Sequence, residues 1–183
     1  MSLVSSVFIA TSLDGFIART DGELDWLNSA NKTVPEGEDC GYHAFFNSID
    51  VLIMGRKTYE KVLSFGQWAY GSKPVIVLSR HKLEIPEQIA KNVSHSSESP
   101  KDLSERLSRE GFKRAYIDGG TTIQRFLDSK LIGDLTITLI PVILGSGVSL
   151  FGDLPQDISL RHVETRTYDF GFVQLKYQVI KSE

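Results

Sequence analysis

Two short runs, Val51-Leu52-Ile53-Met54 and Val75-Ile76-Val77-Leu78, contain no polar residue at all. Side chains along a strand alternate between the two faces of its sheet, so such a run needs apolar cover on both sides. Helix-period segments supply that cover. Tyr42, Phe45, Phe46 and Ile49 recur at i, i+3, i+4 and i+7, one face of a helix. A second helix is expected from Thr58 onward, burying Tyr59, Val62 and Leu63. This alternation predicts an α/β chain with a mainly parallel central sheet. At 183 residues and 41% hydrophobic content, one domain over 1–183 with a substantial core is expected.

The remaining elements follow from local signals. The first strand is expected at Val4–Thr11, ending in an Asp14-Gly15 turn. The stretch from Arg19 to Gly37 is polar and rich in turn formers around Trp26-Leu27, and is expected to be a long loop serving as a lid. Ser99-Pro100-Lys101-Asp102 predicts a helix start, with Ser99 as N-cap, Pro100 at the first helical position and Asp102 closing a capping box. Leu103 and Leu107 form its apolar face and Gly111 stops it. A strand at Ala115–Asp118, a Gly119-Gly120 turn and a helix burying Ile123, Phe126 and Leu127 come next. Leu135–Leu144 is expected to be a strand interrupted by Pro141. From Val173 to Val179 apolar and polar residues alternate, which predicts a half-exposed antiparallel strand.

A net charge of -3 provides no basic field for nucleic acid or an anionic membrane surface. The single cysteine, Cys40, excludes an internal disulfide and a Cys/His zinc cluster. No apolar run reaches the roughly 18 residues of a membrane span, and the start lacks the regions of a signal peptide. A cytoplasmic protein is the expectation.

Three features carry chemistry. In Met54-Gly55-Arg56-Lys57-Thr58 a strand ends on a glycine and a helix begins on two cations and a hydroxyl. A helix start offers unpaired N–H groups and a positive dipole end, so this suits a phosphate. Ile117-Asp118-Gly119-Gly120-Thr121-Thr122 repeats the device, and Ser79-Arg80 follows the Val75–Leu78 strand. In open α/β sheets ligands bind outside the carboxyl ends of strands, and all three features belong to that edge. A dinucleotide with a 2′-phosphate would need this number of anion contacts. Gly145-Ser146-Gly147 lacks the third glycine of a Rossmann fingerprint, and no P-loop is present.

The chain resembles the dihydrofolate reductase superfamily. It is most similar to the branch grouped with the reductase domain of the bifunctional riboflavin-biosynthesis deaminase-reductase. The resemblance rests on Phe8 to Ala18, Ile53 to Glu60, Ile117 to Gly120 and Pro141 to Gly147, and covers nearly the whole chain. It implies a three-layer fold, with helices on both faces of a mainly parallel sheet and an antiparallel C-terminal strand. It implies NADPH as cofactor. Ala10 and Ile17 would hold the nicotinamide. Arg56, Ser79 and Arg80 would serve the 2′-phosphate, and Lys57, Thr58, Gly119, Gly120, Thr121 and Thr122 the pyrophosphate beside Gly55. Trp26 would sit in the lid. Asp39 would grip a pterin through its amino group and ring N–H, with Thr138 hydrogen-bonded to that carboxylate. His43 stands where the family packs an apolar residue on its substrate, a departure from the pattern. A homodimer is the assembly the branch implies.

The expected activity is hydride transfer from NADPH to a pterin or pterin-like heterocycle. Two alternatives stay open. One is reduction of a ribosylated aminopyrimidine, as in riboflavin synthesis, which needs a further cationic subsite such as Arg19 or Lys32. The other is a non-catalytic NADPH-binding protein, since fold alone does not establish activity. At Asp39 a helix cap is the competing role, at Thr138 a plain β-former.

Overall fold

The two all-apolar runs lie side by side, parallel, with Leu52 opposite Val75 and Gly55 opposite Leu78. They are β3 and β4 of a computed structural model that describes residues 2–180. In chain order the elements are β1 (Val4–Ser12), β2 (Phe16–Ala18), α1 (Asp25–Asn31), α2 (Tyr42–Ser48), β3 (Val51–Gly55), α3 (Arg56–Ser64), β4 (Val75–Leu78) and β5 (Val93–Ser96). Then follow α4 (Pro100–Arg109), β6 (Arg114–Asp118), α5 (Gly120–Asp128), β7 (Ile132–Ile140), β8 (Val148–Ser149), β9 (Leu160–Thr167) and β10 (Val173–Val179).

One eight-stranded sheet has the order β5-β4-β3-β6-β1-β7-β10-β9, and β2 pairs with β8 in a small ribbon. From β5 to β7 every pairing is parallel, while β10 runs antiparallel to both β7 and β9. The fold is therefore α/β with the antiparallel C-terminal strand that the sequence predicts.

The period of two divides the core. Ile53, Ile76, Leu78 and Ile117 pack with Leu103 and Leu107 of α4 and Ile123, Phe126 and Leu127 of α5. Leu52, Met54, Val75 and Val77 pack on the other face with Tyr59 and Val62 of α3 and with Tyr42, Phe45 and Phe46 of α2. Ser99 caps α4 as its spacing predicts, its Oγ accepting the Asp102 N–H at 3.2 Å.

Three expectations change. Arg19 to Gly37 is not a plain loop: it contains α1, whose Trp26 is 5% exposed and packs with Ile140 and Phe172. Burial of one aromatic anchor turns that polar stretch into a helix that its own composition barely favours. The strand into Pro141 stops at Ile140, because proline has no N–H to offer the ladder. The polar set of β10 does not all face solvent, since Gln174 is 7% exposed. Period two separates the faces of a strand but does not say which is wet; here the segment before α2 covers the Gln174 end.

Candidate functional site

The two glycine junctions meet. β3 and β6 are paired neighbours, Met54 opposite Asp118, so α3 and α5 start next to each other at the carboxyl edge. A side chain on Gly119, whose φ is +89°, would collide with Thr58 Oγ1, and a Cβ on Gly55 would stand 2.8 Å from Thr122 Oγ1. These glycines allow the two helix starts to touch. Both helices have nine residues, glycine N-caps and no side-chain cap. Their first N–H groups are thus available to a ligand, each set carrying about half a positive charge. Lys57 is exposed there, and Arg56 is half exposed, its Nε donating to Glu60 Oε1 at 2.6 Å. Thr121 is exposed, whereas Thr122 is buried against Gly55.

Ser79 and Arg80 follow β4, the next strand outward. The Ser79 hydroxyl is used in a tight turn, donating to His81 O and accepting from His81 N, and Arg80 is exposed. On the other side of the junctions, Ile17 of β2 packs on Gly120, where a Cβ would stand 3.1 Å from Ile17 Cδ1. The β1–β2 turn is locked by Asp14. Its carboxylate accepts from Ser12 Oγ (2.6 Å), Leu144 N (3.1 Å) and Gly145 N (2.7 Å), which pins the segment after β7 to this turn. The Ser12 hydroxyl, ahead of the two backbone donors, holds this carboxyl at about 2.

Beside this edge lies a cavity of about 450 Å³. Ala10, Asp39 and Thr138 all line it, with Phe8, Tyr42 and Phe172 as aromatic walls. Glu38 is the second acid in the lining, which contains no lysine, arginine or histidine. Asp39 Oδ1 accepts from Gly41 N and Oδ2 from His43 N, both at 2.8 Å, so the residue caps α2 while facing the cavity. Those backbone bonds hold its carboxyl below the usual range. Thr138 does not bond to Asp39. It is 5% exposed, and its Oγ1 lies 3.0 Å from Gln174 Nε2, which also donates to Cys40 O at 2.9 Å. The side chain of His43 is 85% exposed, outside the cavity. Arg19 is held by Asp25, and Lys32 is an exposed residue at the end of α1; neither lines the cavity.

At the junction itself stands Asp118, which closes β6 directly before Gly119. Burial pushes its carboxyl up to about 6, against the Gly119 N–H bond that favours the charged form. Burial and then Asp118 in turn raise the phenol of Tyr42 to about 12, and those of Tyr70 and Tyr116 also rise. Gln174, Asp14 and Asp118 are the residues that sequence reasoning did not assign to this site. The one available signal was an acid terminating an otherwise buried strand at Asp118.

A parallel sheet with paired glycine junctions at its carboxyl edge, an antiparallel last strand and a cavity beside β1 defines the dihydrofolate-reductase-like class. A family model of the RibD C-terminal domain matches residues 6–174, and the chain belongs to that family. It is 40% identical to a putative riboflavin biosynthesis protein from Shewanella sp. PV-4, whose crystal structure matches with a TM-score of 0.91 over 98% of this chain and 100% of that one. The uncharacterized protein YwjB of Bacillus subtilis is 35% identical over 175 residues, 93% of this chain and 95% of its own. A deaminase/5-amino-6-(5-phosphoribosylamino)uracil reductase from Thermotoga maritima is 15% identical with a TM-score of 0.72, covering 98% of this chain and 57% of that one, a likeness of fold. No helix among the described residues is long and apolar enough to cross a membrane.

Proposed function

We propose that the protein is an NADPH-dependent reductase of a small pterin-like heterocycle, held in the cavity lined by Ala10, Asp39 and Thr138. What carries this is the meeting of two uncapped helix N-termini beside a cavity whose two carboxylates, Glu38 and Asp39, have no lysine, arginine or histidine in the same lining. The helix starts, with Lys57, Thr58, Thr121 and Thr122, would bind a pyrophosphate. Arg56, Ser79 and Arg80 would take the 2′-phosphate, for which guanidinium groups offer paired hydrogen bonds. Ala10 and Ile17 would flank the nicotinamide, and NADPH when bound supplies the hydride. Asp39 stays ionised well into acid because the Gly41 and His43 N–H groups stabilise its charge, so it can orient an N–H-rich edge of the substrate. Phe8, Tyr42 and Phe172 exclude water from that edge.

Family membership favours a second substrate, a ribosylated aminopyrimidine phosphate. The cavity speaks against it. Glu38 and Asp39 would face a dianion with no lysine, arginine or histidine in the lining, and like charges brought together there repel. NADPH oxidation with 6-methyl-7,8-dihydropterin and with 5-amino-6-(5-phosphoribosylamino)uracil decides between them. Turnover of the dihydropterin is the expected result. NADPH binding without turnover of either would point to the non-catalytic alternative.

A further inference from the structure

Gln174 is a buried amide with an unambiguous orientation. The carbonyl of Cys40 can only accept, so the group 2.9 Å from it must be the amide NH₂. That same nitrogen lies 3.0 Å from Thr138 Oγ1 and has no lone pair to give, so the threonine oxygen accepts. The hydroxyl proton of Thr138 is then left over. It has no acceptor among the described residues, in a side chain that is 5% exposed and lines the cavity. A buried donor left unmade is costly, and a ligand acceptor would relieve that cost.

We infer that Gln174 is a specificity-determining residue, which turns Thr138 into a hydrogen-bond donor aimed at the substrate. Asp39 and Glu38 offer only acceptors in their ionised forms, so this corner of the cavity reads a heterocycle edge that combines N–H groups with an acceptor, a ring carbonyl or ring nitrogen. Gln174 has a second hold on the same site. Its bond to the Cys40 carbonyl fixes the residue after Asp39, and Cys40 has φ of 52°, a left-handed conformation rarely adopted outside glycine. Threonine alone would leave the polarity of its hydroxyl free to rotate; the amide removes that freedom. This inference rests on the cavity being the substrate site of a reductase.

The test compares two probes on the NADPH-loaded protein by calorimetric titration: 2-amino-4-oxopteridine, which carries a ring carbonyl, and 2,4-diaminopteridine, which replaces it with a donor. The wild type should prefer the oxo compound about tenfold, the worth of one well-placed hydrogen bond. Gln174→Glu should invert that order, because a carboxylate oxygen at this place accepts the Thr138 proton and leaves the threonine oxygen free to accept from the amino group, while the lost donor to the Cys40 carbonyl should weaken both probes alike. Thr138→Val, which deletes the hydroxyl at constant shape, should abolish the discrimination and guards against a misfolded glutamate variant. NADPH affinity should be unchanged in both. An order that is the same in the wild type, Gln174→Glu and Thr138→Val overturns the inference while leaving the reductase standing. A wild type that binds NADPH but neither pteridine overturns the cavity as a heterocycle site, and the inference with it.

Discussion

Replacing Asp118 with asparagine should stabilise the protein, and only above about pH 4. The carboxyl ends β6 within hydrogen-bond reach of the Gly119 N–H, and burial lifts it from 3.8 to about 6. A folded-state value above the unfolded one means that the folded protein holds the proton more tightly. The associated stability is complete below about pH 4 and is lost as pH rises through about 6. A rise of roughly two units corresponds to about 3 kcal/mol, an upper limit because Asp118 keeps some contact with solvent. The amide of the Asp118→Asn variant keeps an oxygen for the Gly119 N–H and never ionises, so the cost disappears.

Urea unfolding of both proteins between pH 4 and 8 measures it. Asp14, Asp39, Asp50 and Glu98 are shifted the other way and lose their contribution as pH falls, which tilts the wild-type curve in the opposite sense. The difference between variant and wild type cancels those carboxyls. It should be near zero at pH 4 and rise to about 2–3 kcal/mol at pH 8, or roughly 5–10 °C in Tm for a chain of this size. A difference independent of pH would show that the Asp118 carboxyl is not desolvated in solution, and the placement of the end of β6 against Tyr42 and Tyr70 would be wrong.

NADPH should bind at least tenfold more tightly than NADH, and Arg56→Ala should narrow the gap mostly through NADPH; equal dissociation constants for the two cofactors in the wild type would remove the 2′-phosphate site. Amide hydrogen exchange across Arg19–Gly37 should slow when NADPH and substrate bind, with α1 acting as a lid tethered to α3 by Lys61–Glu23; unchanged exchange would make it a fixed surface element. Asp39→Asn should cost about 1 kcal/mol of stability, since an amide can replace only one of the two cap bonds, but lower kcat/KM a hundredfold or more if the charge orients substrate. Glu38→Gln made in parallel identifies which acid carries that role, and full activity in both variants would exclude it for either. Sedimentation should find a homodimer, with β9 leaving Leu160 and Val163 exposed at the sheet edge.

The sheet was legible because its signals are local. Val75–Leu78 reads as a buried strand from its own four residues, and the Ser99 cap from the spacing to Asp102. The two edges were not: β5 is only Val93-Ser94-His95-Ser96, and in β9 Arg161, His162, Glu164 and Arg166 give an edge strand the look of a loop, charged residues being how such edges avoid unwanted pairing. The junction glycines were read as space for a ligand, and they also serve each other: Gly119 makes room for Thr58, and Gly55 for Thr122. That reciprocity joins two distant stretches of the chain and cannot be seen along it. Gln174 was illegible for the same reason, because its partners Thr138 and Cys40 come from β7 and from the segment before α2.

Charge is what separates the two halves of the site. At the junctions Lys57, the Glu60-paired Arg56 and two helix dipoles gather positive potential around the one acid Asp118, while the cavity beside β1 has two carboxylates and no lysine, arginine or histidine in its lining. A net charge of -3 conceals this division, since it averages over both. The arrangement gives each end of the site its own ligand: a polyanionic cofactor is repelled from the cavity, and a substrate with an N–H-rich edge is repelled from the junctions. Binding in the wrong half is thus opposed by charge before any shape is read. Reversing one cavity acid tests this directly. Glu38→Lys adds a cation beside Asp39 and should let an aminopyrimidine phosphate bind about tenfold more tightly, because a repulsion is replaced by an attraction. The same change should weaken a dihydropterin. If phosphate and pterin ligands respond alike, the cavity selects by shape, and its acids serve only to hold the turn before α2.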